Sequence, residues 1–398
     1  MHPEHSRSYR GWRIVAACFV VATFAWGFGF YGQGVYLANL LRLRGWSLSL
    51  VSGAVTMFYF VSAIMVAFVA DWIARIGARR VVSGGLVATG LSVVALGFVD
   101  APWQLYLVFL VMSFGWASTS VGAINNVVGM WFSERRGLAI SLALTGASAG
   151  GIVVVPALQA AIDSAGFPCA MAVSGALLIL VAAPLALLLI ETPQVSTRAG
   201  GAAPAARWTK PNLLRSFAFW SLAAPFSICW VTQTAFLVHQ INIFAPRLGA
   251  AGAATAVAVT TFAAVAGRLL MGLIVDRADR RLFTGLSVAS QAAALLATVV
   301  WPEPTVLYAA AALYGLSVGN VITLPSLIVQ REFEAASFGL VVALATSVNQ
   351  MAGAFGPGLM GFGRDLAGSY AFPLICCAAL NLCSAGAIVL LRPERRCL

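Results

Sequence analysis

The chain has 398 residues, of which 61% are hydrophobic and only 9% are charged, with a formal net charge of +11 and a mean hydropathy of +0.91. Soluble domains carry roughly a quarter charged residues, so this composition excludes a water-soluble fold. The basic surplus has no soluble face on which to gather, which argues against a nucleic-acid partner and points to the anionic leaflet of a lipid bilayer.

The apolar residues fall in long runs. A helix needs about 20 of them to span a hydrocarbon core, because each residue rises about 1.5 Å. Only helices and closed barrels satisfy every backbone group in lipid, and the short alternating segments of a barrel are absent. Charge, Gly and Pro delimit the predicted spans in chain order: 14–40, 47–70, 81–99, 103–130, 137–162, 168–190, then 216–243, 253–275, 282–301, 304–329, 338–362 and 371–391. Arg7, Arg10 and Arg13 precede the first span, as in a secretion signal. That span is too long for a signal core, lacks a small-residue cleavage site and is followed by eleven more, so it reads as a retained helix.

Basic residues set the expected orientation. With both termini in the cytoplasm, nineteen Lys and Arg fall on that side, including Arg75, Arg79, Arg80, Arg135, Arg136, Lys210, Arg280, Arg281 and Arg331. Only Arg42, Arg44, Arg247 and Arg364 fall on the other. The positive-inside rule is met without adjustment. The arginine-rich, lysine-poor composition and short loops suggest a bacterial inner membrane.

One long polar stretch, Glu191–Arg215, divides the spans into two sets of six. The expected organisation is a bundle at 1–190, a cytoplasmic linker at 191–215 and a second bundle at 216–398. The halves match at an offset of about 201 residues: Phe132 with Phe333, Pro156 with Pro357, Gly166 with Gly368, and the turn Arg75–Arg80 with Arg277–Arg281. Repeated halves are what rocking transporters are built from. The fold expected is an all-α membrane protein of twelve transmembrane helices in two pseudo-symmetric six-helix bundles. Gly146, Gly150 and Gly151 would let the fifth span approach a neighbour closely, and Pro156 and Pro357 would kink the fifth and eleventh.

The chemistry available inside the spans is sparse. The seven cysteines show no metal-ligand spacing and read as small apolar helix residues, so neither metal nor cofactor is expected. Two of the three histidines, His2 and His5, lie at the N-terminus, and no nucleophile cluster or nucleotide-binding loop appears. That argues against an enzyme. A passive channel would not need paired halves.

By this map every acidic residue falls in a loop, a terminus or a helix end, leaving His239 and Arg268 as the ionisable groups within spans. An arginine at a helix centre costs about 2.5–3.5 kcal/mol on insertion scales, and such residues usually line a pathway. Arg268 lies roughly 10 Å from the inner end of its helix by the rise per residue, so a snorkelling side chain is the alternative. Ala264 and Thr261 share its face, which suits a cavity wall better than lipid. A guanidinium fork matches a carboxylate and stays charged at physiological pH. His239, with a reference pKa near 6.5, suits a proton carrier, or else a neutral histidine bonded to a neighbour. Further polar candidates for substrate contact are Tyr31, Gln33, Asn125, Tyr314, Asn320, Asn349 and Gln350. Such groups also serve as interhelical glue.

At the turns after the second and eighth spans the chain resembles the major facilitator superfamily, whose G-x-x-x-D-R-x-G-R-R-like motif recurs there. The second copy is nearly complete, with Gly272, Asp276, Arg277, Asp279, Arg280 and Arg281. The first is reduced to Arg75, Gly77, Arg79 and Arg80, with Ala74 at the acidic position. In the family these charges form a cytoplasmic latch; the plain alternative is a positive-inside anchor. The run Trp131-Phe132-Ser133-Glu134-Arg135-Arg136-Gly137-Leu138-Ala139, continuing through Gly146, Gly150, Gly151 and Pro156, is similar to the monocarboxylate and oxalate/formate transporter branch, as is the Gly363–Tyr370 stretch.

That resemblance implies an arginine four residues before the motif glycine, here Arg268 before Gly272, that binds a substrate carboxylate. It places His239 where some bacterial relatives hold a histidine near the substrate. Departures are equally specific. The helix 1 lysine of the animal carriers falls at Tyr31, and their aspartate one turn before the arginine falls at Ala264. Where the oxalate exchanger has a second cation, this chain has Asn349 and Gln350. A single span cation favours a monoanion over a dianion. The expected function is secondary transport of a small organic anion, a monocarboxylate, by alternating access with a proton, from a monomeric carrier. The rival is a drug or metabolite efflux carrier of the same superfamily, which would ordinarily need a cavity acid.

Overall fold

The computed structural model describes residues 6, 9–132, 135–191, 208–274, 279–334 and 337–392. Regular structure among the described residues is helical throughout. The membrane-length helices are α1 (Gly11–Arg44), α2 (Leu48–Ile76), α3 (Ala78–Leu96), α4 (Pro102–Gly129), α5 (Gly137–Ala165) and α6 (Phe167–Leu189). A short helix, Lys210–Leu214, precedes one helical stretch, Phe217–Ile274, broken at Gly249 with φ 71° and ψ 172°. At about 1.5 Å per residue such a stretch would run far beyond a hydrocarbon core of about 30 Å. The break makes it two spans, α7 (217–248) and α8 (250–274). There follow α9 (Arg280–Val300), α10 (Pro304–Glu332), α11 (Phe338–Ala367) and α12 (Ala371–Leu390). Eleven stretches among the described residues are long and apolar enough to cross a bilayer, and the one carrying Gly249 supplies two crossings.

Local chemistry explains where these helices start and stop. Ser47 Oγ accepts from the Leu50 amide at 3.3 Å and opens α2. Gln104 Oε1 accepts from the Asp100 and Ala101 amides at 2.7 and 3.1 Å, and Pro102 begins α4. Asp279 caps α9 by accepting from the amides of Arg281 and Leu282 at 3.0 and 2.9 Å. These are the side chains that satisfy the orphan donors of a first helical turn. The repeat is visible in the backbone: Gly45 and Gly249 close α1 and α7 with φ of 64° and 71°, and Gly166 and Gly368 close α5 and α11 with φ of 79° and 72°. Positive φ is strained for any residue with a Cβ.

Among the described residues five spans leave α geometry, two of them by breaks, α4 at Ser120 and α11 at Ala354–Phe355. Widened π-helical turns occupy Gly27–Tyr31 in α1, Gly150–Val154 in α5 and Leu178–Ala182 in α6. Pro156 lies two residues after the end of the second of these, and Pro357 sits in the first turn after α11 is interrupted at Ala354–Phe355. A proline deprives the ladder of a donor, so the backbone departs from α geometry around it.

By contacts the chain forms two compact units. Unit 1 is Met1–Gln194 with Val238–Thr261, and unit 2 is Val195–Leu237 with Phe262–Leu398. The linker residues 192–207 lie outside the described residues. In unit 1, α1 and α5 touch backbone to backbone: a Cβ on Gly146 would stand 2.1 Å from Phe19 O, and one on Gly150 2.5 Å from Thr23 O. Gly90 and Gly175 bring α3 and α6 equally close, with 2.4 Å between a Cβ on Gly175 and Gly90 O. Small residues do this in membranes because lipid gives apolar helices no other reason to associate. Unit 2 has an apolar core of Phe219, Leu222, Phe226, Val288, Leu324 and Ile328. It is crossed by a buried amide relay in which Gln291 Nε2 donates to Gln233 Oε1 at 3.3 Å and Asn381 Nδ2 donates to Gln291 Oε1 at 3.5 Å.

Candidate functional site

Arg268 sits half-buried on α8 in unit 2, with Leu269 and Leu270 exposed beside it. Its backbone is held by the close approach of α8 and α10. A Cβ on Gly267 would lie 2.0 Å from Leu316 O, and one on Gly319 would lie 2.1 Å from Ala264 O and 3.4 Å from Arg268 Cβ. Asn320, next in sequence to Gly319, is buried and donates from Nδ2 to Ser287 Oγ at 3.5 Å, while its Oδ1 makes no hydrogen bond. Tyr314 lies two turns earlier on α10, fully buried against Phe236 with 4.4 Å between ring centroids, and its hydroxyl has no hydrogen-bond partner. The structure thus places Arg268, Tyr314 and Asn320 on two tightly joined helices of one unit.

On α11, Asn349 accepts from Ser227 Oγ at 2.9 Å, which ties it to α7, and Gln350 is half-buried. That bond is the kind of interhelical tie a polar side chain in a span can make.

His239 falls in unit 1, a different unit from Arg268. It is fully buried, and its Nε2 is hydrogen-bonded to the equally buried Ser52 Oγ of α2 at 3.3 Å. One turn of the same helix brings Val238 O against Gly34 of α1, where a Cβ would be 2.9 Å away. Gln33 is fully buried in α1; its Nε2 donates to Gly29 O at 3.0 Å and to Met112 Sδ at 3.4 Å, and its Oε1 makes no hydrogen bond. Tyr31 is half-buried with its ring edge-on to Phe30 at 5.0 Å. Asn125 lies on α4, half-buried, its Oδ1 also without a hydrogen bond. A cavity of about 460 Å³ at the ends of α5 and α8 is lined by Pro156, Gln159, Asp163, Ser164, Ala251 and Thr255, and holds none of these candidates.

The two copies of the turn motif have different surroundings. In unit 2 Arg281 is 4% exposed and fully engaged. It donates to Glu332 through Nε and Nη2 at 2.7 and 2.8 Å, and to Ser221 Oγ, Ile388 O and Leu391 O at 3.1, 3.1 and 3.0 Å. Arg280 donates to Leu327 O. Asp279 is ion-paired to Arg392 at 2.8 Å. Asp276 and Arg277 lie outside the described residues, and Gly272 is in α8. In unit 1, Arg75 and Arg80 are exposed, Gly77 ends α2 with φ 87°, and Arg79 Nε donates to Ile190 O at 3.1 Å. Position 131, the counterpart of Glu332 at the repeat offset, is Trp131, whose Nε1 donates to Glu191 O at 3.0 Å. Arg80 therefore lacks the carboxylate that engages its counterpart.

Sequence reasoning passed over Ser52, Gly267, Gly319, Glu332 and the amide relay. Gly315-x-x-x-Gly319 carries the small-residue spacing of a close helix contact and could have been read. Ser52 and Gln291 had no signal, since single polar residues in apolar spans do not say which neighbour they face.

The profile of the Major Facilitator Superfamily matches residues 19–357. The chain is 31% identical to human monocarboxylate transporter 11 over 329 residues, covering 77% of this chain and 67% of that relative. It is 25% identical to bovine monocarboxylate transporter 13 over 329 residues, covering 80% and 74% respectively. Among solved structures it is similar in fold to a bacterial homologue of the human lysosomal transporter Spinster, with a TM-score of 0.77, 16% identity and 97% of both chains covered. The chain is a multi-pass membrane transporter that belongs to the Major Facilitator Superfamily, in its monocarboxylate-transporter branch.

Proposed function

We propose that this protein carries a small organic monocarboxylate across a bacterial inner membrane by alternating access, together with a proton. Arg268 anchors the carboxylate, His239 takes the proton, and both termini are cytoplasmic. The observation that carries the reading is a half-buried arginine on an apolar membrane helix, one turn from the close backbone approach of Gly319 to Ala264. An arginine in such a span is expensive and serves a pathway more often than packing. Its planar fork offers two parallel N–H donors that match the two oxygens of a carboxylate. Relatives named as monocarboxylate transporters support the same cargo.

His239 supports coupling because imidazole is the side chain whose charge changes near physiological pH. A proton bound there would offset the charge of an incoming anion. Tyr31, Gln33, Asn125, Tyr314, Asn320, Asn349 and Gln350 are the further polar groups proposed to meet cargo. The turn residues Arg75, Gly77, Arg79, Arg80, Gly272, Asp276, Arg277, Arg280 and Arg281 are proposed as the cytoplasmic latch. The protein is proposed to work as a monomer, its two bundles at 1–190 and 216–398 joined by the linker 191–215.

The test is uptake of radiolabelled carboxylates into proteoliposomes, with and without an inward proton gradient. Wild type should accumulate a monocarboxylate, and Arg268→Ala should lose uptake while purifying as a monodisperse protein. Losing one partner of a desolvated charge pair costs about 2–5 kcal/mol, so affinity should fall by about thirtyfold or more. Normal uptake by Arg268→Ala would remove the anion reading.

A further inference from the structure

Pro357 leaves α11 with a carbonyl that its own helix cannot serve, and a hydroxyl on another helix serves it. In a regular helix the N–H of residue 357 would reach Gly353 O, and proline has no N–H. Thr234 of α7, 4% exposed, donates from Oγ1 to Gly353 O at 2.6 Å. Around this bond the two helices touch backbone to backbone. A Cβ on Gly356 would stand 2.3 Å from both Thr234 Oγ1 and Val231 O.

The break divides α11 into two segments with different partners. The first, Phe338–Gly353, is tied to α7 through Thr234 and, one turn earlier, through the 2.9 Å bond from Ser227 Oγ to Asn349 Oδ1. The second, Gly356–Ala367, packs on α12, where a Cβ on Gly363 would lie 3.2 Å from Pro373 Cβ. Between them the Phe355 N–H reaches back only to Ala352 O, at 3.1 Å, so the ladder tightens there to a 3₁₀ turn. Such turns inside a longer helix often mark hinges.

A fixed kink does not need a movable tie, and this tie can be passed on. Trp230 O and Val231 O, on α7 itself, lie 2.9 and 3.1 Å from the same Thr234 Oγ1. One hydroxyl proton therefore has three acceptors within reach. Turning it to its own helix releases Gly353 O without leaving the hydroxyl unsatisfied. A buried carbonyl without a donor is costly, so the bond to α11 is the resting arrangement and its release is transient.

We propose that the α11 break is a hinge of the transport cycle and that Thr234 is its pin, a positioning residue. The second segment swings with α12 while the first stays with α7. The inference rests on the alternating-access reading above and adds the element that moves. Every residue in it belongs to unit 2.

The experiment measures amide hydrogen exchange and carboxylate uptake on the full chain. Thr234→Val should speed exchange of the amides flanking Pro357 about two- to tenfold, the contribution of one hydrogen bond. Thr234→Ser, which keeps the hydroxyl, should match wild type. Pro357→Ala supplies the missing N–H and should slow that exchange about tenfold. In the Pro357→Ala background, Thr234→Val should have no further effect, because the carbonyl then has a donor of its own. In proteoliposomes Pro357→Ala should lower the maximal uptake rate about tenfold with Km within about twofold of wild type, since a stiffened hinge slows turnover and spares binding. Equal effects of Thr234→Val in both backgrounds overturn the pin, and a wild-type maximal rate in Pro357→Ala overturns the hinge. Either result leaves the carboxylate reading standing. A wild-type protein that moves no carboxylate overturns that reading, and unchanged exchange in Pro357→Ala is then what overturns the hinge.

Discussion

Gly319 of α10 lies directly against Arg268 of α8: a Cβ added to Gly319 would be 3.4 Å from the Arg268 Cβ and 2.1 Å from Ala264 O. The second distance is to backbone, which cannot swing aside, so the helices must part to admit even a methyl group. Gly319→Ala is expected to lower the melting temperature of the purified protein, at an overpacking cost of about 1–3 kcal/mol. It should also weaken carboxylate affinity, because Arg268 moves with its helix. Full stability and uptake in this variant would show that the pinning is immaterial.

Arg268→Lys separates charge from shape. Lysine keeps the positive charge but loses the paired donors of the guanidinium. If a carboxylate is gripped by two parallel hydrogen bonds, the variant should retain measurable uptake with a raised Km, intermediate between wild type and Arg268→Ala. A lysine variant indistinguishable from wild type would mean that the site reads charge alone.

The His239 to Ser52 bond leads to a pH test. With proton-coupled import, initial uptake should rise as external pH falls, and His239→Gln should flatten that dependence. Ser52→Ala removes a hydrogen bond of about 0.5–1.5 kcal/mol and should displace the midpoint of the profile without abolishing it. A His239→Gln protein with the wild-type profile would place the coupling group elsewhere.

The motif copies should respond unequally to mutation. Glu332→Ala leaves the 4%-exposed Arg281 without its carboxylate, and breaking a buried pair costs about 3–5 kcal/mol. Arg80→Ala, at an exposed position, should change stability by no more than about 0.5 kcal/mol. Thermal unfolding of the two variants side by side decides the point, and equal effects would refute the asymmetry.

Asp279 supplies an acid-side prediction. The Leu282 amide, then the Arg392 side chain, hold its carboxyl below the usual aspartate value of 3.8 despite some opposing burial. A carboxylate with a depressed folded pKa stabilises fully above its unfolded value and loses that contribution as pH falls through the folded value. Wild type should therefore be more stable than Asp279→Asn near neutrality. The gap should close only below about pH 3.8, as the carboxylate takes up its proton. A gap that persisted at lower pH would assign the effect to something other than ionisation.

Much of the architecture was legible in the residues because the bilayer imposes one-dimensional rules. Each span needs its own run of apolar residues and each turn its own charges, so α9 at Arg280–Val300 and α10 at Pro304–Glu332 lie within three residues of the ranges read from hydropathy. The repeat was equally legible, since Gly166 and Gly368 stand at matching positions and both adopt positive φ. Arg268 and His239 stood out because ionisable groups are rare in such runs. Tertiary structure alone decided which way each polar group faces: the burial of His239 against Ser52, the engagement of Asn349 by Ser227, and the stacking of Phe30 on Trp116. Hydropathy reports only that a residue is in the membrane. Its neighbour there is set by helix rotation and by glycine contacts such as Gly319 against Ala264, which join residues far apart in the sequence.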